Sequence, residues 1–189
     1  KANKIDYFDT ADDYENYEIL RRLPKKTKII SKINTNIKYS DYRLLENKIL
    51  NLLKYLNQTK FYAILIHDTN FYKKKIGIKI YKNLLKLKEK GLINKVGLSV
   101  YFPINLLKIV KTFKPNIIQA PLNVFDNRLI DNNLLNNLKK KNIEIHARSI
   151  FLQGLLVNRS LVKKKKFNKF KYEINKWFKY IDENKFDPT

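Results

Sequence analysis

The sequence predicts a parallel α/β fold of the (β/α)8, or TIM-barrel, type, incomplete, with about six βα units present. Three observations carry this reading. Short apolar, β-branched or aromatic runs alternate with longer segments of helical period, as in repeated βα units. The turn after the first run, Asp9-Thr10-Ala11-Asp12-Asp13-Tyr14, has no glycine, which argues against the phosphate-binding turn of an open doubly wound sheet. A polar or charged residue stands at the exit of every run: Asp9, Lys32, His67, Ser99, Gln119 and Arg148. A barrel gathers such residues on one face, at the C-terminal ends of its strands.

Taken in order, the strands are expected over Ile5–Phe8, Lys28–Ser31, Tyr62–Ile66, Lys95–Leu98, Ile117–Gln119 and Ile143–Ala147. Helices are expected between them, over about Glu15–Leu23, Tyr42–Leu56, Gly77–Lys90, Ile104–Phe113 and Leu134–Lys141. The second is the clearest. Its Leu44, Leu45, Ile49, Leu52, Leu53 and Leu56 form one apolar stripe. Gly91 stands where a helix-terminating residue belongs, just before the fourth strand. A last amphipathic segment, Phe167–Asp182, carries the single tryptophan, Trp177. With 189 residues and few breakers (4 Gly, 5 Pro), the chain reads as one domain, 1–189, large enough for a hydrophobic core.

Composition removes several classes of function. The chain has no Cys, so a disulfide framework, a thiolate metal site and a cysteine nucleophile are all excluded. No apolar run approaches the roughly 18 residues of a membrane span, and no signal peptide is visible, so the cytoplasm is the expected location and no membrane partner is expected. The net charge of +23 would suit a polyanion surface. The lysines are scattered, however, and accompany heavy use of Asn, Ile, Tyr and Phe, the residues an AT-rich genome encodes. They read first as coding bias, with no specific nucleic acid implied. The run Lys163–Lys166 reads as a solvated helix end.

Each strand-exit residue has an ordinary explanation by itself. Asp9 or Asp12 caps a helix, Tyr14 is one of 12 tyrosines, and Gln119 satisfies backbone groups. His146 reads as a core or helix-facing histidine. As a set they fit carbonyl reduction, in which a hydride reaches the carbonyl carbon and the developing alkoxide needs a proton. A tyrosine hydroxyl supplies that proton, although its ordinary pKa of about 10 is high for neutral pH. A neighbouring ammonium stabilises the phenolate, a carboxylate keeps the ammonium charged and aimed, and a neutral histidine orients the carbonyl oxygen. Asp9, Tyr14, Lys32 and His67 fill those four roles.

Six stretches, FDTADDYENYE, KIISKIN, YAILIHD, KVGLSVY, IIQAPLNVFDNR and ARSIFLQGLL, each cross a strand end, in order, from Ile5 to about Leu156. Together they resemble the aldo-keto reductase superfamily, whose (β/α)8 barrels bind NADPH or NADH without a doubly wound sheet. The resemblance implies that Asp9, Tyr14, Lys32 and His67 are catalytic. It implies that Ser99 and Gln119 hold the nicotinamide carboxamide, that Arg148 stacks where an aromatic is usual, and that Ser149, Leu152 and Gly154 lie along the cofactor pyrophosphate. Two positions depart from the pattern: Val100 replaces the usual Asn and Glu15 the usual Gly. The substrate implied is a small-molecule carbonyl compound. The RSIFLQGLL phrase resembles a bacterial branch found among polysaccharide and nucleotide-sugar genes, which implies a sugar derivative.

Family members carry a strand and helix before the DTA strand, and an eighth strand with a phosphate-gripping helix at the end. The chain lacks Met and starts on the DTA strand, so it reads as a fragment without those strands, expected to bind cofactor poorly in isolation. The competing reading is a non-catalytic, reductase-like nucleotide-binding or scaffold protein. A basic nucleic-acid-binding domain, the third reading, leaves the strand-exit set without explanation.

Overall fold

The computed structural model describes residues 5–14, 17–68, 70–101, 105–130 and 133–188. The expected starts at Glu15 and Ile104 lie outside the described residues, as does Thr189. Six strands form one sheet in sequence order: β1 (Tyr7–Asp9), β2 (Lys28–Ile33), β3 (Phe61–Ile66), β4 (Ile93–Ser99), β5 (Ile117–Pro121) and β6 (Glu144–Arg148). The pairings from β1 through β5 are parallel. The helices are α1 (Tyr17–Leu20), α2 (Tyr42–Tyr55), α3 (Lys75–Glu89), α4 (Leu106–Phe113), α5 (Leu134–Lys139) and α6 (Lys171–Glu183). This is an incomplete (β/α)8-type fold of six parallel strands with helices between them.

The chain forms two compact units. The first comprises residues 1–120 and 128–146; the second comprises 121–127 and 147–189.

In the first unit, α2 starts where the Asp41 side chain accepts the backbone N–H groups of Arg43 and Leu44, at 2.8 and 3.1 Å. It buries Leu45, Ile49 and Leu53, with Leu56 following, four residues on one face. Leu44 departs from the expected stripe: it sits in the first turn, off the buried face, and is 51% exposed. α3 buries Ile80, Tyr81, Leu84 and Leu87 and is followed by Gly91 at φ 79°, the left-handed geometry glycine tolerates best. α1 is shorter than expected. Only Leu20 of its residues is buried while Ile19 is 69% exposed, so little packing extends it toward Pro24.

Gly97 marks a tight approach between strands. A Cβ there would lie 2.2 Å from the carbonyl oxygen of Ile117 and 2.8 Å from Leu65 Cδ2. Neither the backbone nor the packed leucine, at 0% exposure, yields cheaply. Gly97→Ala should therefore cost about 1–3 kcal/mol or more, read as a lower denaturation midpoint at unchanged slope.

Near the N-terminal ends of these strands lies a polar network that the sequence reading did not foresee. Lys95 pairs with Glu144 and donates to the Tyr62 hydroxyl at 2.8 Å; that hydroxyl donates in turn to Glu144 at 2.7 Å. His146 Nε2 is 2.5 Å from the other Glu144 oxygen. Its ring meets the edge of Tyr7 at 5.5 Å, and Lys28 donates to the Tyr7 hydroxyl at 3.1 Å. The expectation of His146 as a core or helix-facing residue is corrected: it is half-buried and serves as a partner of Glu144. Tyr7 and His146 thus bring side chains of β1 and β6 into contact.

Burial acts to raise the Glu144 carboxyl, but hydrogen bonds from Lys95, Tyr62 and His146 outweigh it and hold the group below its usual range. Burial acts to lower the Lys95 ammonium, but Glu144 and Tyr62 outweigh it and raise the group above its usual range. Burial, with Glu144 beside it, pushes the Tyr62 phenol up to about 12. A carboxyl depressed by folding contributes stability above its unfolded pKa, near 4.3, and loses it as pH falls through the lower folded value. Lys95 contributes below about 10.4 and loses its share as pH rises through its raised value. Thermal unfolding should thus show a flat neutral region and a fall in acid, and Glu144→Gln should shrink that acid fall.

In the second unit, Leu155, Val162, Ile174 and Phe178 form a small core beside Trp177, whose indole N–H donates to the Leu156 carbonyl at 3.0 Å. Arg159 forks onto Asp182. The last helix starts at Lys171, later than the expected Phe167, because 165–170 take tighter 3-10 geometry. The lysine run 163–166 is exposed, ending one 3-10 helix at Lys163 and opening the next at Lys165. No helix among the described residues is long and apolar enough to cross a membrane.

Candidate active site at the strand exits

The loop after β1 is fixed to β2 before any side chain acts. The Thr10 N–H donates to the Ile30 carbonyl at 2.9 Å and the Asp12 N–H to that of Lys32 at 3.0 Å. Ala11 is wholly buried beneath it. Each acid of the DTADDY stretch then has its own partner. Asp9 pairs with Lys32; Asp12 pairs with Lys48 of α2 at 2.9 Å and accepts from the Tyr39 hydroxyl at 3.3 Å; Asp13 accepts from Asn34 at 2.7 Å. Asp12 thus ties the loop to α2. Its attraction, with the Tyr39 hydrogen bond, raises the Lys48 ammonium above its usual range although burial opposes this.

Lys32 is 2% exposed, which makes its pairing with Asp9 necessary: an isolated ammonium at that depth is costly. It also donates to the Thr10 carbonyl at 3.2 Å, and its Nζ lies 5.2 Å from the centre of the Tyr14 ring. Tyr14 is 42% exposed, with its backbone N–H held by Ala11 at 3.0 Å. Asp9 has a second role. Its other carboxylate oxygen accepts the Gln119 side-chain N–H at 3.0 Å. One carboxylate therefore aims both the lysine and the glutamine, and Gln119 does more than cap its own strand. His67 follows β3, its N–H donating to the Ile33 carbonyl at 2.9 Å; its Nε2 is 3.4 Å from the Tyr101 hydroxyl.

Ser99 and Gln119 sit side by side in the β4–β5 register, 1% and 5% exposed. Among the described residues, the Ser99 hydroxyl and the Gln119 Oε1 have no hydrogen-bond partner. Orphaned buried polar atoms are rare in folded proteins. A hydroxyl beside a carbonyl-type acceptor presents a donor and an acceptor to a primary carboxamide, so these residues fit the nicotinamide end of a cofactor. Val100, at the position where the resemblance expects Asn, is 3% exposed and offers no side-chain polar atom.

Arg148, Ser149, Leu152 and Gly154 belong to the second unit. Arg148 Nη1 donates to the Ser149 hydroxyl at 3.3 Å. Ser149, Leu152 and Gln153 hold left-handed backbone at φ 58°, 45° and 56°, followed by Gly154 at 87°. Three non-glycine residues in that region make a strained loop, a feature that concentrates at functional sites. Ser149, Leu152 and Gln153 line a cavity of about 630 Å³ within this unit, with Phe125, Phe167 and Phe170. The sequence reading missed those aromatics, as 11 phenylalanines in the chain give no local signal.

The sequence matches the Aldo/keto reductase family over residues 2–186. The chain belongs to the aldo/keto reductase family. Solved structures agree on the fold. The glycerol dehydrogenase of Gluconobacter oxydans is 23% identical, with a TM-score of 0.70, over 97% of this chain and 66% of its own. An aldo-keto reductase from Bacillus halodurans is 18% identical, with a TM-score of 0.65, over 82% and 53%. A mutant of Gox0644 in complex with NADPH is 17% identical, with a TM-score of 0.66, over 97% and 62%. This aldo/keto reductase chain thus spans about 53–66% of the length of these neighbours. No curated protein matches it.

Proposed function

We propose that the protein is an NAD(P)H-dependent oxidoreductase that reduces an aldehyde or ketone to an alcohol, at a site built from Asp9, Tyr14, Lys32 and His67. The observation that carries this reading is the buried Lys32 ammonium, held by Asp9 and lying near Tyr14, while the same Asp9 orients Gln119 beside Ser99. Family membership supports it, as does the NADPH complex of a structural neighbour.

When bound, a reduced nicotinamide supplies the hydride. Ser99 and Gln119 would hold its carboxamide. In the second unit, Arg148, Ser149, Leu152 and Gly154 are taken as cofactor-binding residues on the sequence resemblance. His67 orients the substrate carbonyl oxygen. Tyr14 donates its phenolic proton to the oxygen as it becomes an alcohol, and the Lys32 ammonium stabilises the phenolate left behind. Asp9 keeps Lys32 charged and in place. The substrate is a small carbonyl compound, with a sugar derivative as the class the sequence resemblance favours.

Val100 favours a second reading, a nucleotide-binding protein without turnover, since its buried apolar side chain removes one carboxamide contact. Loss of nicotinamide absorbance with a panel of aldehydes and ketones separates the two. The reductase reading predicts carbonyl-dependent oxidation of NADPH or NADH. Quenching of Trp177 fluorescence by the cofactor, with no carbonyl-dependent oxidation, would support the second reading.

A further inference from the structure

The Tyr101 hydroxyl lies 3.4 Å from His67 Nε2, and the two rings stack with centroids 6.1 Å apart and planes inclined by 24°. The backbones that carry them are anchored in the sheet. The His67 N–H donates to the Ile33 carbonyl at 2.9 Å, and the N–H of Val100, next to Tyr101, donates to that of Gln119 at 2.8 Å. The ring contact is therefore set by strand geometry. A neutral imidazole carries its proton on either nitrogen, and the hydrogen bonds it makes decide which. An imidazole that orients a carbonyl oxygen must present an N–H to it.

We propose that Tyr101 is a positioning residue for His67: its ring fixes the imidazole plane, and its hydroxyl accepts the Nε2 proton, keeping Nε2–H as the donor that meets the substrate carbonyl. At 46% exposure Tyr101 has room to turn aside when a carbonyl oxygen takes the place of its hydroxyl. The role of the contact in turnover rests on the reductase reading; the hydrogen bond itself does not.

The chain has only two histidines, so side-chain nitrogen NMR resolves both, and His146→Gln assigns the remaining signal to His67. The measurement uses the protein without cofactor or substrate, slightly above neutral pH. Wild type should show a protonated Nε2 on His67 with slowed proton exchange. Tyr101→Phe, which keeps the ring, should speed that exchange at least severalfold and shift the Nε2 resonance. An unprotonated Nε2 in wild type would overturn the proposal, as would identical His67 spectra in wild type and Tyr101→Phe. In turnover, Tyr101→Phe should lower kcat/KM about tenfold with cofactor affinity unchanged. A reductase reading that fails shows itself as no carbonyl-dependent turnover in wild type, whereas the NMR result stands independently.

Discussion

Tyr14→Phe should lower the rate of carbonyl reduction by about 100- to 10,000-fold, the span typical of removing a positioned proton donor. The change deletes one oxygen from a side chain that is 42% exposed, so folding should be nearly unaffected. The ring remains for the Lys32 ammonium to face. Cofactor affinity should hold, because the carboxamide contacts are assigned to Ser99 and Gln119. Single-turnover kinetics, with the cofactor dissociation constant measured beside them, separate the lost chemical step from lost binding. A mutant as fast as wild type would mean that another group delivers the proton.

Asp9→Asn should be the more damaging change to the molecule. It removes the counter-charge of an ammonium that is 2% exposed. Breaking a fully buried pair costs about 3–5 kcal/mol. Asp9 itself is 43% exposed and Lys32 keeps the Thr10 carbonyl, so about 2 kcal/mol is expected, read by denaturant unfolding. The same substitution gives Gln119 a new amide neighbour in place of a carboxylate acceptor, so its Oε1 is no longer aimed by charge. Cofactor affinity and turnover should therefore fall together. Lys32→Met removes the ammonium without burying an unpaired charge and should cost less stability than Asp9→Asn while abolishing turnover as fully. That ordering separates the pair's structural role from its chemical one.

Much of this was legible in the sequence, for physical reasons. Strands fully buried on both faces read as apolar runs, and β2, β3 and β5 fell within a few residues of expectation. α2 was found because its apolar residues fall on one stripe, while its Asp41 cap became evident only in the structure. The strand-exit residues stood out because each ends an apolar run with a group that such a run does not need. What stayed hidden depends on contacts between distant elements. Glu144 and His146 gave no sign of meeting Tyr62, Lys95 and Tyr7, since partners 82 and 49 residues away leave no local pattern. Tyr101 was one tyrosine among 12, and only the stacking of two strand ends brings it to His67. The left-handed backbone at Leu152 and Gln153 was equally invisible, because neither residue type favours it.

In the proposed reaction the cofactor gives a hydride to a carbonyl carbon and Tyr14 gives a proton to its oxygen. Reduced cofactor carrying deuterium at nicotinamide C4, incubated with the protein and an aldehyde, tests it most directly by mass spectrometry of the alcohol formed. The alcohol should bear one deuterium on the former carbonyl carbon, formed at a rate that collapses in Tyr14→Phe. Across the aldehyde and ketone panel, no labelled alcohol above a protein-free control, with cofactor bound, would contradict it.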